Sequence, residues 1–454
     1  MEFKKINKFK EKNIPRYFLI IGLFVGTIMT LVMPIFNEPD ARYHLAVSGK
    51  IVGINIDVST YGETNISSGM KKQKEPYENG LDVVLKKYYF TKVKTTNYEN
   101  LPRNIDYRYD YVFWGHIVPA IGVWIGYHVY SSLGVIIIFA RLISMLFVII
   151  SMYFIIKRLK VGRLLFSAVT LSPVIINQSA SLSYDATSYV ITSYFLMLAI
   201  NAIYERKFTK STGKELIIST ILIALFAKRN FYLLILLIPA LILYCDNEIV
   251  FLNKIKEKVI KLWNWICSLR NSMKVLLGMG ILTLAFALFT VMSMSYGGPI
   301  HVIMRMIRTF IFNNGGDGRD PSMGLLVAPY QEFNFVPKWE YGIWMVMMAL
   351  ILLSEMKFVN KISMSIFALL IFALNLFGVY YGFLSFDGAT TGAISGAQGR
   401  YFTPMIPILL IFFGYDKFKL KINKNKYFMI GVFAIAVFSN FHLIFTTIYG
   451  LIKQ

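Results

Sequence analysis

The sequence predicts an all-α polytopic membrane protein, and three observations lead there. Hydrophobic residues make up 56% of the chain and charged residues only 16%, against about 25% charged in ordinary soluble domains. Apolar runs near the ~20 residues needed to cross a bilayer recur along the chain. The third is charge: 47 Lys and Arg face 25 Asp and Glu, a net +22, and the cations gather in short segments between apolar runs, as they do in cytoplasmic loops. Disorder, a disulfide scaffold and a soluble enzyme are excluded. No separate basic soluble domain exists to bind nucleic acid. Cys245 and Cys267 lack the spacing of a metal site.

The elements follow in order. Lys4, Lys5, Lys8, Lys10, Lys12 and Arg16 precede an apolar run over 17–36. That run exceeds the ~7–15 residues of a signal-peptide core, so it reads as an uncleaved first span with a cytoplasmic N-terminus. A long outer segment, 37–132, comes next. Within it, 112–130 is apolar enough to pass for a span. If it crossed, the basic cluster Lys157, Arg158, Lys160 and Arg163 after the span over 133–156 would lie outside, against the positive-inside rule. The segment 112–130 is therefore expected to lie in the interface, with Trp114, His116 and His128 on its wetter side.

The run over 164–178 goes out, and 185–204 returns to Arg206, Lys207, Lys210 and Lys214. A single long helix over 215–245 would hold Lys228 and Arg229 in hydrocarbon, which is costly. A hairpin of two short spans instead places them at the outer surface. Spans over 273–294, 339–353, 362–384, 400–413 and 427–445 complete about eleven crossings, with the C-terminus outside. Further outer loops fall at 295–338 and 385–399. Residues 313–321 lack the full ligand pattern of a calcium loop and read as a plain loop. The cytoplasmic loops contain no phosphate-cradling glycine motif, so any chemistry belongs to the outer face.

Candidate residues cluster where spans meet that face. Glu38, Asp40, Arg42 and His44 follow the first span, and a carboxylate beside a low-dielectric boundary suits a general base; an ordinary polar helix cap is the plainer alternative. Asp185 opens a span and doubles as an N-terminal cap. Arg400 follows a glycine-rich loop, an arrangement that suits phosphate binding as well as interfacial anchoring. Arg141 lies inside a span, where an unpaired charge is costly; it is expected to face the bundle and meet an acid. The five histidines show no paired ligand spacing.

Asp40-Ala41-Arg42-Tyr43 resembles the acidic motif after the first span of GT-C glycosyltransferases, the polyprenyl-phosphate-sugar-dependent membrane enzymes. The stretch 109–146, with Arg141, is similar to the interfacial helix and Arg-bearing span of that fold. A closer resemblance is to the bacterial membrane family called domain of unknown function 2142, itself GT-C-like. Residues 172–185, 227–231 and 396–404 carry it, in the family's order, and the segment from Gln398 through Arg400 and Tyr401 to Pro404 is the most distinctive. Ala41 stands where the family commonly has Glu, which leaves Glu38 and Asp40 as the acids. Lys228-Arg229-Asn230 stands where it has Lys-Pro.

The resemblance implies a GT-C-like bundle with a long first extracellular loop. It implies transfer of a sugar, with inversion, from a polyprenyl-phosphate donor to a cell-surface glycan acceptor at the outer face of a bacterial plasma membrane. Asp40 or Glu38 would be the base. Arg42, His44, Arg141, Asp185, Lys228, Arg229, Gln398, Arg400 and Tyr401 would bind substrate. No cofactor is called for, and a divalent metal stays open. Expected partners are the donor, the acceptor and the lipid bilayer, with no nucleic acid. A lipid-linked-glycan transporter or flippase and a non-catalytic scaffold are the alternatives.

Overall fold

The computed structural model describes residues 11–36, 38, 40–61, 81–101, 113–311, 323–328, 336–386, 392–420 and 422–453. Residues 62–80, 102–112, 312–322, 329–335 and 387–391 of the expected outer loops lie outside the described residues, and with them all of the segment 313–321. Among the described residues the structure is helical apart from one pair of two-residue strands and a few isolated bridges. Among the described residues, six helices are long and apolar enough to cross a membrane. They run over Glu11–Val32, Leu133–Arg158, Asp185–Glu205, Asn271–Tyr296, Ile362–Gly382 and Lys426–Tyr449.

In chain order, α1 is Ile14–Val32, α2 is Ala41–Val52, α3 is Ile117–Val129 and α4 is Leu133–Arg158. Then come α5 (Arg163–Thr170), α6 (Pro173–Ser179), α7 (Asp185–Glu205) and α8 (Lys210–Phe226). The central helix α7 is hydrophobic on all sides and 89% of its apolar window is buried, as expected of a helix surrounded by others. Its neighbours α4, α6 and α8 share one continuous core with it, and α1 joins that core by packing on α4 and α6.

Helix α3 stands antiparallel against the first half of α4. Gly122 abuts Ala140 and Gly126 abuts Ile136, so close that a Cβ at either glycine would meet backbone. Small residues let two helix backbones approach this way. Trp114 and His128 are exposed as expected, but His116 is completely buried. The first turns of α4 thereby join α2 and the residues around Ile54 and Tyr61 in a second, smaller core.

The two ends of the bundle differ in kind. At one end Arg158 bonds Glu215, Lys160 meets Glu205, and strand β1 (Lys207–Phe208) pairs with β2 (Asp246–Asn247). Tyr244 bonds Asn360, Lys357 bonds the Phe413 carbonyl, and Lys424 holds both Glu355 and Glu11. These contacts form a chain that gathers the basic segments on one side. The strand pair also shows that α8 leaves this end and the following segment returns to it. The return leg is a 3-10 helix over Arg229–Leu236 followed by α9 (Leu237–Tyr244). Because 3-10 turns rise about 2.0 Å per residue against 1.5 Å in an α-helix, sixteen residues reach about 28 Å.

The remaining helices are α10 (Val250–Ser268), α11 (Asn271–Ser293), α12 (Pro299–Phe310), α13 (Lys338–Ser354), α14 (Ile362–Gly382), α15 (Leu409–Phe413) and α16 (Lys426–Lys453). Helix α11 stands apart: none of its apolar window is buried.

Candidate functional site at the opposite end of the bundle

The end away from the basic segments collects most of the residues singled out in the sequence. Arg141 on α4 faces inward, 1% exposed. It donates to Glu38 Oε2 at 2.7 Å and to the Met33 and Pro34 carbonyls at 2.9 and 2.8 Å. A helix C-terminus leaves carbonyls without internal partners and carries partial negative charge, so a guanidinium there caps α1 as well as pairing an acid. The other Glu38 oxygen accepts the Leu182 backbone N–H at 3.3 Å. Both oxygens of Glu38 are thus engaged in structure.

Asp40 is placed differently. It sits in the left-handed region at φ 55° immediately before α2, and its side chain does not cap that helix. A non-glycine residue there is uncommon, though Asp and Asn tolerate it best. Its carboxylate makes no hydrogen bond or ion pair among the described residues. Burial raises its pKa from the ordinary carboxylate range, against the opposing pull of Arg400 and Lys228. Such a group is a stronger proton acceptor than a free aspartate.

Facing it are two cations and a second acid. Lys228, at the tip between α8 and the 3-10 leg, contacts Asp185 Oδ1 at 2.6 Å. Arg400, in the 3-10 turn Gly399–Tyr401, reaches Asp185 Oδ2 at 3.6 Å and donates to Gln178 Oε1 at 3.2 Å. Tyr401 lies under both, with Lys228 Nζ 4.1 Å from its ring centre and the Arg400 guanidinium 5.3 Å away. Asp185, Lys228, Arg400, Tyr401 and Gln178 line one crevice with Ser188 and Tyr189. Arg400 Nε and Gln178 Nε2 are buried with no hydrogen-bond partner among the described residues. Buried donors without partners are costly, and here two of them belong to residues that line the crevice.

Beside the crevice His44 Nδ1 and His116 Nε2 lie 2.8 Å apart, ringed by Tyr43 and Tyr184. Thr187 of α7 donates to the Gly115 carbonyl, holding the turn that carries His116 against the helix that begins at Asp185. Burial, then His116, Arg400 and Lys228, hold the His44 pKa well below its ordinary value. The unfolded chain therefore binds the proton more readily than the folded one, and acid favours unfolding. Thermal stability in detergent should be full above about pH 6.5, the ordinary His value, and fall as pH drops below it. His44→Gln should flatten that fall; an unchanged acid slope would show that His44 does not cause it.

The other predicted residues lie variously. Arg42 is buried on α2, and Arg229 is exposed beside Lys228. Gln398 is half-buried, with its Oε1 lacking a partner among the described residues. Sequence reasoning missed Gln178 and the burial of His116. Gln178 stood inside the family-like segment 172–185 without being singled out, and the His44–His116 contact spans 72 positions. Among the described residues no group of three or more His, Cys, Asp or Glu could hold a metal ion.

Comparison with known proteins gives one result. No curated protein and no solved structure matches the chain. The family described as "Predicted membrane protein (DUF2142)" matches residues 23–317, well over half of the sequence and inclusive of Glu38, Asp40, Arg141, Asp185 and Lys228. The chain belongs to that membrane-protein family.

Proposed function

We propose that the chain is a membrane glycosyltransferase of GT-C type. In this reading it transfers a sugar, with inversion, from a polyprenyl-phosphate donor to a cell-surface glycan acceptor at the outer face of a bacterial plasma membrane. One observation carries the reading. Asp40, Asp185, Lys228 and Arg400, from four distant segments, converge at the bundle end opposite the basic contacts. The positive-inside rule assigns that basic end to the cytoplasm. This reading has eleven traverses: the six long helices, α13, the broken leg of α5 and α6, the two legs over 210–244 and the one over 399–413. Asp40 faces outward.

The division of labour follows from charge. The donor phosphate is anionic and its lipid tail confines it to the interface. Arg400 offers a guanidinium whose Nε is unengaged among the described residues, and Lys228 a second cation beside it. Asp185 holds both cations in place. The acceptor hydroxyl oxygen bonds to the sugar's anomeric carbon as the bond from that carbon to the phosphate oxygen breaks. The hydroxyl proton passes to Asp40, and the polyprenyl phosphate leaves with the bonding pair. Asp40 suits the base better than Glu38, whose oxygens are both taken.

The test is turnover by the purified protein in detergent with a polyprenyl-phosphate sugar and a glycan acceptor. An enzyme turns over there; a flippase or transporter needs two compartments, and a scaffold does nothing. Arg400→Lys keeps the charge but loses the two-pronged grip on phosphate, so donor use should weaken. Arg400→Ala should weaken it by a further ~1–3 kcal/mol. Donor protection against heat measures this. Wild-type protection in both Arg400→Ala and Lys228→Ala would put the phosphate elsewhere.

A further inference from the structure

Helix α10 joins the leg ending at Tyr244 to the membrane-crossing helix that begins at Asn271. Both of those ends lie on the basic side of the bundle, so its nineteen residues, about 28 Å long, run along that side rather than through the bilayer. No residue of α10 is buried. Its two faces are nevertheless different. At 3.6 residues per turn, Phe251, Ile255, Val259, Leu262, Trp263 and Ile266 fall within about half of its circumference. Lys254, Lys258 and Lys261 lie together on the other half, with Glu257 and Asn264 and, toward the two ends of the helix, Val250 and Trp265. Phe251 and Trp263 are 68% and 64% exposed. The helix is anchored to the body at its start, where Lys256 donates to the Cys245 carbonyl at 2.7 Å.

An apolar face of this size is not left in water, and no described part of the chain covers it. Both neighbours end at a membrane boundary, which places the helix at that boundary. We propose that α10 is an in-plane helix sunk by its apolar face into the leaflet on the basic side, and that Lys254, Lys258 and Lys261 recognise anionic lipid headgroups there. An amphipathic helix with lysines on its polar face binds such a surface by both terms together. This site is separate from the crevice and does not rest on the glycosyltransferase reading.

The test uses the full chain in lipid nanodiscs. Cys267, exposed, is changed to Ser, and the buried Cys245 is kept. Spin labels at 255 and 259 should be accessible to oxygen and shielded from a water-soluble nickel chelate; labels at 254 and 258 should show the reverse. Equal exposure of 255 and 259 to the chelate would overturn the proposal, because the face would be in water. Shielding from both reagents would overturn it too, because protein or a second copy would cover the face.

Lipid choice is read from a fluorophore at 259, quenched by brominated phosphatidylglycerol or brominated phosphatidylcholine. The anionic lipid should be enriched around α10 by several-fold, up to roughly fivefold for each lysine close to the headgroups. Lys254→Gln, Lys258→Gln and Lys261→Gln combined should bring the two lipids to parity, while a fluorophore at 366 on α14 keeps its wild-type ratio. Because these lysines are exposed, the triple variant keeps the fold. Parity already in the wild type would refute the headgroup recognition.

Discussion

Asp40→Asn is expected to lower turnover by about 10²–10⁴-fold, the usual range for loss of a general base, with the protein still made and inserted. The substitution is a clean one for a backbone reason. Asp40 occupies φ 55°, and Asn is among the residues that tolerate that region best. Asp40→Ala would mix backbone strain with the loss of the proposed base. The variant's melting temperature in detergent should therefore stay near wild type while its rate collapses. On the acid side the wild-type rate should fall as Asp40 takes up a proton, at a pH above the ordinary carboxylate range because its pKa is raised. Full activity in Asp40→Asn together with loss in Glu38→Gln would transfer the base to Glu38. Full activity in both would remove the enzyme reading.

Arg141→Met should destabilise the protein by ~3–5 kcal/mol, the cost of stripping the partner from a buried charge. Glu38 would keep a carboxylate that is 3% exposed, and the Met33 and Pro34 carbonyls would lose their donors together. Adding Glu38→Gln should return part of the loss, because no buried charge then remains. Chemical unfolding in detergent measures both steps. A loss no larger than the ~1 kcal/mol of an exposed ion pair would mean that water reaches Glu38 once the guanidinium is gone.

The features legible in the sequence were those set by local hydropathy and by charge. The cations Lys228 and Arg229 forbid one long helix over 215–245, and the parallel pairing of Lys207 with Asp246 shows that the chain does turn back there. The cost of an unpaired Arg141 in hydrocarbon foretold that it meets an acid, and Glu38 is that acid. What stayed hidden was which side of an element faces which neighbour. Periodicity in 112–130 marks a helix, but its glycines, not its aromatics, decide the packing, and they turn His116 inward to His44. Gln178 is likewise defined by Arg400, 222 positions away. No window of sequence contains such a pair.

The turned-back pair of legs over 210–244 also constrains how the protein is made. On the eleven-traverse reading, neither leg has the ~20 apolar residues that hold a helix in a membrane alone. The tip between them carries two cations, each costing about 2.5–3.5 kcal/mol to bring through the hydrocarbon centre. The first leg, delivered by itself, would have to bear that cost without the packing of Phe231, Leu234 and Leu237 that the second leg brings to the core. On that reading the two legs are expected to enter the bilayer as a unit. A nascent chain halted just past Lys228 should be retained on the synthesising side, and release through Cys245 should let the tip cross.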